Sequence, residues 1–289
     1  MVADALSRRL AVIEITTPHL SFADDLELYA RAGVAGIGIL ESKLGDVDEA
    51  VEAFRHSGLV ASSVILTTGS ILPSSGIPGP NDPAARVESI CAAMERLLVF
   101  EPACFTIAPG PLGDHTLEAA RSVVGAGLRR IAARADELGT RIALESMHPS
   151  LGSLFSFAVD LTEASLLLEL CGSETVGLCV DLWHVGEEPD VLARLEELAG
   201  RVVTVHVDDR RLPTRSWVDR VLPGDGVDDV AGMLAALARG GYAGWLELEI
   251  LSDDGSYGDD FDDSLWKLDP FELVCTARDR VASLGLVRD

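Results

Sequence analysis

Eight short apolar segments alternate with longer helical patterns along the 289 residues, and this alternation constrains the fold more than any single motif. The apolar segments are rich in β-branched residues and end near Pro, Gly, Ser or charged residues, as buried strands do. Strands are predicted at residues 11–16, 34–40, 59–66, 103–107, 142–145, 176–181, 202–206 and 244–250. Helices are predicted at residues 21–32, 46–56, 83–100, 114–138, 162–171, 189–199, 228–239 and 270–283.

Strict alternation of strands and helices indicates a parallel sheet. Eight such units favour a single α/β domain, a closed (β/α)8 TIM barrel that covers residues 1–289. The alternative is an open, doubly wound sheet. No Gly-x-Gly-x-x-Gly follows the first predicted strand, so the dinucleotide-binding fingerprint of that fold is absent. Residues 67–82 are rich in Gly and Pro and are predicted to form a long loop.

The charge of the chain argues against two classes of partner. Lys and Arg number 23 against 47 Asp and Glu, which gives a formal net charge of −24. An acidic surface repels nucleic acid and anionic membrane surfaces, so we expect neither as a partner.

Residues 1–9 lack the apolar run of a signal peptide, and no segment is apolar for long enough to span a membrane.

Five cysteines are scattered along the chain without metal-finger spacing, namely Cys91, Cys104, Cys171, Cys179 and Cys275. An odd, scattered set indicates a reducing compartment, and with the preceding features it predicts a cytoplasmic protein. Cys104 and Cys179 lie in or beside predicted strands, where we expect them to be small core residues.

The last four predicted strands each carry, at or near their end, a residue that can bind a metal: Glu145, Asp181, His206, and either Glu247 or Glu249. The carboxyl ends of parallel barrel strands meet at one face, so we expect these side chains to converge. Carboxylates that converge in a dry site need a cation to offset their repulsion. Oxygen donors with one imidazole suit Mn²⁺, Mg²⁺, Co²⁺ or Zn²⁺.

Each of these residues also has a structural interpretation. A single acidic residue at a strand end more often caps a helix or pairs with a basic side chain, and Asp181 can cap the helix after it. His206 can be a core histidine with satisfied hydrogen bonds. Four ligand types on four consecutive strand ends nevertheless favour a metal site over these separate explanations.

Five short motifs follow one another in a specific order. They are Ala-Leu-Glu at 143–145 with His148-Pro149, Val-Asp-Leu-Trp-His at 180–184, Val-His-Val-Asp-Asp at 205–209, Pro-Gly-Asp-Gly at 223–226, and Gly-Tyr-Ala-Gly-Trp-Leu-Glu-Leu-Glu at 241–249. In this order and spacing the chain resembles the sugar phosphate isomerase/epimerase family, the xylose isomerase-like TIM barrels. The resemblance covers nearly the whole chain and is strongest over residues 139–250.

The resemblance implies that one divalent metal ion is bound by Glu145, Asp181, His206 and Glu249. Mn²⁺ is the expected ion, with Mg²⁺, Co²⁺ and Zn²⁺ as alternatives. The Gly-Tyr-x-Gly spacing of the last motif favours Glu249 over Glu247.

The resemblance further implies a metal-dependent isomerase or epimerase. Its substrate would be a sugar or a sugar-derived hydroxy-carbonyl compound, and the reaction would pass through a metal-stabilised enediolate. Glu145 and Glu249 would be the catalytic acid and base, and His184 would hydrogen-bond to a substrate oxygen. One alternative is a metal-dependent dehydratase or lyase on the same site, similar to inosose dehydratase or cleaving a carbon-glycoside. Another is a non-catalytic barrel subunit. A homo-oligomer is also expected from the resemblance.

Two positions depart from the pattern of the ketose 3-epimerases. Those enzymes place a further Glu six residues after the fifth-strand Glu, where this chain has Leu151. They place an Arg six residues after the seventh-strand His, where this chain has Leu212. Both departures argue against a free ketose as substrate.

Four arginines lie within residues 210–220, after the seventh predicted strand. Arginine binds carboxylate and phosphate groups bidentately, so Arg210 and Arg215 are candidate contacts for an anionic sugar-like substrate. The alternative is that the arginines pair with the acidic residues of loop 253–263. His148 and Trp217 are further candidate substrate contacts, although an aromatic residue such as Trp217 can equally serve loop packing.

Overall fold

The computed structural model of the chain describes residues 9–284. Its strands are β1 (Leu10–Ile13), β2 (Gly36–Leu40), β3 (Val60–Ser70), β4 (Phe105–Ala108), β5 (Ile142–Glu145), β6 (Val176–Asp181), β7 (Val202–Val207), β8 (Asp209–Arg210), β9 (Arg220–Val221) and β10 (Trp245–Leu248). Its α-helices are α1 (Phe22–Ala32), α2 (Val47–Ser57), α3 (Pro83–Leu97), α4 (Leu117–Leu138), α5 (Leu161–Cys171), α6 (Leu182–Val185), α7 (Val191–Leu198), α8 (Val230–Arg239) and α9 (Pro270–Ser283).

Eight parallel strands close into a barrel in the order β1-β10-β7-β6-β5-β4-β3-β2. The prediction of a closed (β/α)8 barrel is therefore confirmed. β8 and β9 form a separate antiparallel pair after β7, which the sequence pattern did not predict because each strand has only two residues. Among the described residues, no helix combines the length and apolar character needed to cross a bilayer.

Local signals set the ends of several helices. The Ser21 hydroxyl caps α1 by accepting from the Asp24 backbone N–H, and the Asp24 carboxylate accepts in return from the Ser21 backbone. Thr116 caps α4, so this helix begins three residues later than the predicted 114. Gly33 and Gly139 follow α1 and α4 with φ of 73° and 68°, a left-handed conformation that favours glycine.

The first strand is shorter than predicted, because residues 14–16 turn into a 3₁₀ helix. The Glu14 carboxylate is fully buried and accepts from the Leu40 backbone N–H at 2.8 Å. Lys43 Nζ lies 3.5 Å from the other Glu14 oxygen. This carboxylate therefore joins the end of β1 to the end of β2.

The third strand is longer than predicted and continues to Ser70, into the segment that the sequence assigned to a loop. Ser70 pairs with Ala108 of β4. The Arg86 side chain of α3 donates to the Ser70 carbonyl at 2.7 Å and to the Ser70 hydroxyl at 2.8 Å. The strand is thus stabilised by residues later in the chain.

The barrel interior combines small apolar and hydrogen-bonded polar residues. Cys104, Ala143, Cys179 and Val203 form one buried cluster, as expected for the two cysteines. The larger apolar core lies between the strands and the surrounding helices.

Candidate metal centre and cavity

The four residues predicted from the strand ends lie together at the carboxyl-terminal face of the barrel. Glu145, Asp181, His206 and Glu249 each offer one ligand atom, and these atoms all lie within 4.8 Å of one another. Strand register explains the convergence. Asp181 is level with His206, and Glu145 is level with Cys179, two residues before Asp181. The tilt of barrel strands brings such staggered residues to one mouth.

Both nitrogens of the His206 ring lie close to polar side chains. The side chain is fully buried, and Nε2 lies 3.3 Å from the Cys179 thiol. Nδ1 lies 3.2 Å from a Glu145 oxygen and 3.4 Å from a Glu249 oxygen, but it makes no hydrogen bond with any described residue. A buried imidazole nitrogen that faces two carboxylates without bonding to them fits a divalent cation between these groups.

Glu247 has a different environment from Glu249. Its carboxylate is fully buried inside the barrel and accepts from the hydroxyls of Ser62 at 2.6 Å, Ser63 at 2.7 Å, and Thr204. These three bonds satisfy the carboxylate. Glu249, one residue beyond β10, is therefore the carboxylate that joins the other three ligands.

Arg220, one of the four arginines in the segment after β7, lies beside the four candidate ligands. Its side chain is only 3% exposed, and Nη1 donates to an Asp181 oxygen at 2.8 Å and to a Glu249 oxygen at 2.9 Å. It also donates to the Asp208 carboxylate. The guanidinium therefore offsets part of the repulsion among these carboxylates.

Burial and the neighbouring charges shift the pKa values of several side chains at this centre. Burial would raise the pKa of Glu249, but the charges of His206 and Arg220 hold it well below its ordinary value. Burial raises the pKa of Asp208 to about 7 despite the neighbouring Arg220. Burial, reinforced by the charge of Arg220, lowers the pKa of His184 well below its ordinary value, so this imidazole is neutral.

His184 and His148 lie on one side of the centre. His184 is buried, and its Nε2 is 3.7 Å from an Asp181 oxygen. His148 contacts Glu187 through Nε2 at 2.9 Å and the Ser150 hydroxyl through Nδ1 at 2.8 Å. Both histidines pack against the Trp183 ring, with centroid distances of 5.0 Å for His148 and 5.4 Å for His184.

The two arginines predicted to contact substrate are paired with acidic side chains. Arg210 binds Glu187 at 2.9 Å and Asp228 at 2.7 Å. Arg215 binds Asp219 at 2.6 Å and Asp263 at 2.8 Å. The structure thus brings Arg215 to the acidic loop 253–263, which was the alternative interpretation of the arginine cluster.

A cavity of about 520 Å³ adjoins the metal centre, and Glu145 and Glu249 form part of its wall. Trp217 also lines it, as do residues of the loops after β3 and β5, such as Ile77 and Phe155. Arg210, Arg215, His148 and His184 are not among its lining residues. The acid/base pair predicted from the sequence therefore faces a cavity large enough for a small-molecule substrate.

Comparisons with known proteins agree with this architecture. Residues 26–268 match the family model described as xylose isomerase-like TIM barrel. No match was found among curated proteins.

Similar solved structures cover almost the entire chain. A protein from Sinorhizobium meliloti 1021 has a TM-score of 0.83 and 23% identity over 96% of this chain and 98% of that chain. An IOLI protein with a bound zinc atom has a TM-score of 0.78 and 19% identity over 96% and 97% of the two chains. An L-ribulose 3-epimerase has a TM-score of 0.76 and 20% identity over 96% and 94%. At these identities the likeness establishes a shared fold, one that epimerases also use.

The family model spans most of the chain, and the structure has the closed eight-stranded barrel that the family description names. The resemblance inferred from the sequence motifs is thereby confirmed. This protein belongs to the xylose isomerase-like TIM barrel family.

Proposed function

We propose that this protein is a divalent-metal-dependent isomerase or epimerase of a sugar or sugar-derived hydroxy-carbonyl compound. The observation that carries the proposal is the convergence of Glu145, Asp181, His206 and Glu249, whose ligand atoms lie within 4.8 Å of one another beside the cavity. An IOLI protein with a bound zinc atom and an L-ribulose 3-epimerase share the fold, which supports both the metal and the reaction class.

The four proposed ligands fit a divalent cation of the Mn²⁺, Mg²⁺, Co²⁺ or Zn²⁺ type, with Mn²⁺ expected because three of the four donors are carboxylates. Such a cation would polarise a carbonyl group and its neighbouring hydroxyl and so make the intervening C–H bond more acidic. The Cys179 thiol contacts Nε2 of His206 and so orients the ring with Nδ1 toward the carboxylates.

Glu145 and Glu249 supply the proton transfers. They extend from β5 and from the end of β10, on either side of β6 and β7, and both line the cavity. One carboxylate removes the proton from carbon, and the other returns a proton to the adjacent carbon or to the opposite face. The electron pair of the broken C–H bond moves toward the carbonyl, so isomerisation and epimerisation need no external oxidant or reductant.

Neighbouring residues hold this pair in place. Arg220 donates to Glu249 and Asp181 and so restricts both carboxylates. The family resemblance implies that His184 hydrogen-bonds to a substrate oxygen. Its Nδ1 has no hydrogen-bond partner among residues 9–284, which supports this role, although the side chain lies outside the cavity lining.

A dehydratase or lyase is the second candidate function. Its first step would be the same proton abstraction, followed by loss of a leaving group from the adjacent carbon. The apolar walls of the cavity favour this candidate, because they can hold a leaving group that is not a sugar. Release of a second product would distinguish it from isomerisation.

Metal content of the purified protein is the first test. Elemental analysis should find about one divalent ion per chain, and the Glu145→Gln/Glu249→Gln double variant should lose it. Glu88→Gln/Glu196→Gln is the matched control, since both of these glutamates are exposed and pair with surface arginines. Loaded wild-type protein should then catalyse exchange of substrate C–H protons in D₂O. Absence of bound metal in the wild type, even after soaking in Mn²⁺, would refute the proposed function.

A further inference from the structure

The wall of the cavity is largely apolar. Three aromatic side chains on separate loops form one side, with ring centroids 5.3 Å apart for Phe155 and Trp217 and 5.6 Å apart for Trp217 and Tyr257. Ile77 and Leu251 continue the apolar surface. Tyr257 is 51% exposed, so much of its ring is free to contact a bound molecule. Apolar surface of this kind gains free energy when a ligand covers it.

Charged groups are confined to one part of the wall. Glu145 and Glu249 are the charged residues among those that line the cavity, and no Lys, Arg or His of residues 9–284 lines it. The neighbouring arginines are engaged elsewhere: Arg210 with Glu187 and Asp228, Arg211 and Arg215 with Asp219 and Asp263, and Arg220 with Asp181, Asp208 and Glu249. A phosphate or carboxylate on the substrate would find no cationic side chain in this wall.

Hydroxyl partners for a polyol are also few. Besides Tyr257, the lining side chains with a hydroxyl group are Ser42, Thr67 and Thr106. Burying a hydroxyl without a hydrogen bond is unfavourable, and a free hexose carries a hydroxyl on nearly every carbon. The wall therefore suits a substrate with a small polar head and an apolar remainder.

We infer that the substrate is an uncharged compound in which an α-hydroxy-carbonyl head is joined to an aromatic body, with the body held against Phe155, Trp217 and Tyr257. The head lies at Glu145 and Glu249, and this placement rests on the proposed function. The inference of an aromatic body depends only on the residues of the cavity wall. Rings that meet edge to face, as these three side chains do, leave faces and edges against which a further ring can pack.

Three probe compounds test the inference on the metal-loaded protein. 2-Hydroxyacetophenone and hydroxyacetone share the α-hydroxy ketone group, but the first carries a phenyl group where the second carries a methyl group. Dihydroxyacetone phosphate has a small head with an added anionic group. Isothermal titration calorimetry should show that 2-hydroxyacetophenone binds at least about tenfold more tightly than either other probe. Equal affinities for the two neutral probes, or tightest binding of the phosphate, would overturn the inference.

Variants locate the binding surface. Tyr257→Ser and Trp217→Ala should each reduce the ratio of the affinity for 2-hydroxyacetophenone to the affinity for hydroxyacetone several-fold. Leu268→Ser is the matched control, because Leu268 is 47% exposed and lies outside the cavity lining. A phenyl preference that survives in the Tyr257→Ser/Trp217→Ala double variant, with its thermal unfolding midpoint intact, would place the aromatic body elsewhere and contradict the inference.

Metal analysis of the same samples separates the two hypotheses. Bound metal without a phenyl preference refutes the aromatic body and leaves the proposed function standing. A phenyl preference in a protein that binds no metal refutes the proposed function and leaves the aromatic pocket standing.

Discussion

Arg220 is a buried cation beside two fully buried carboxylates and the partly exposed carboxylate of Glu249, and its position links stability to the candidate metal centre. Nη1 contacts Asp181, Asp208 and Glu249, and the guanidinium carbon lies 5.4 Å from the centre of the Trp183 ring. Removing one partner from a buried charge network leaves the others without compensation, which costs more than the loss of an exposed pair.

We predict that Arg220→Met destabilises the metal-free protein by about 3 kcal/mol, because its carboxylate partners remain buried. Added Mn²⁺ should raise the thermal midpoint of the variant more than that of the wild type, since the cation then supplies the missing positive charge. Denaturant unfolding and thermal scans with and without Mn²⁺ measure both effects.

Arg239→Met provides the comparison for Arg220. Arg239 pairs with Glu196 at 2.9 Å on the surface, with 56% of its side chain exposed. Such pairs contribute about 0–1 kcal/mol, so this variant should unfold nearly like the wild type. Similar losses in the two variants would show that Arg220 has no special electrostatic role.

At the scale of elements, two motifs that carried the family resemblance form one structural unit. The buried Asp209 carboxylate, at the end of the Val-His-Val-Asp-Asp motif, accepts from backbone N–H groups of Gly224 and Gly226, each at 2.9 Å. A Cβ atom at Gly226 would lie 2.2 Å from an Asp209 oxygen, so this position excludes larger residues. The unit closes the β8–β9 hairpin on which Arg220 lies.

Asp209→Ala should therefore destabilise the protein by about 3 kcal/mol, because four backbone N–H groups, those of Arg210, Gly224, Gly226 and Asp228, lose a charged acceptor. Asp229→Ala is the control, since Asp229 caps α8 by accepting from the Gly232 N–H, and loss of a cap costs about 1 kcal/mol. Urea denaturation measures both values. If Asp209→Ala costs no more than Asp229→Ala, the hairpin does not depend on this carboxylate.

At the scale of the whole molecule, the chain carries a net charge of −24, and its stability depends on where the carboxylates titrate. Glu188 accepts from the Leu161 backbone N–H at the start of α5, and burial raises its pKa to about 7. The folded protein keeps this proton while the unfolded chain releases it above the ordinary value of 4.5. The contribution of Glu188 to stability is therefore present below pH 4.5 and is lost as the pH rises toward 7.

The Glu188→Gln variant tests this dependence, because glutamine keeps an oxygen acceptor but does not titrate. Between pH 4.5 and 7 the free energy of unfolding of the wild type should fall relative to the variant by about 1–2 kcal/mol, allowing for partial exposure to solvent. Glu197→Gln is the control, since that side chain is 70% exposed. Parallel pH profiles for wild type and Glu188→Gln would contradict the prediction.

The alternation of apolar segments and helical patterns predicted the barrel, and the residues at the strand ends predicted the four candidate ligands. Hydrophobic alternation is a local signal, and parallel closure obliges all strand ends to meet at one face, so Glu145, Asp181 and His206 could be assigned before any contact was known. The Gly-Tyr-x-Gly spacing pointed to Glu249 in the same way. The ends of β1 and β3 were predicted less accurately, because they depend on contacts with distant residues. After β1, Glu14 accepts from Leu40, which lies 26 positions later, and at the end of β3, Ser70 accepts from Arg86, which lies 16 positions later.

The groups that surround those ligands come from distant parts of the chain. Arg220 reaches Asp181 across 39 positions, and Glu247 is satisfied by Ser62, which lies 185 positions earlier. The aromatic wall comes from loops that share no local pattern. Loops are placed by packing rather than by periodicity, so their contacts follow from the closed barrel and cannot be read from neighbouring residues.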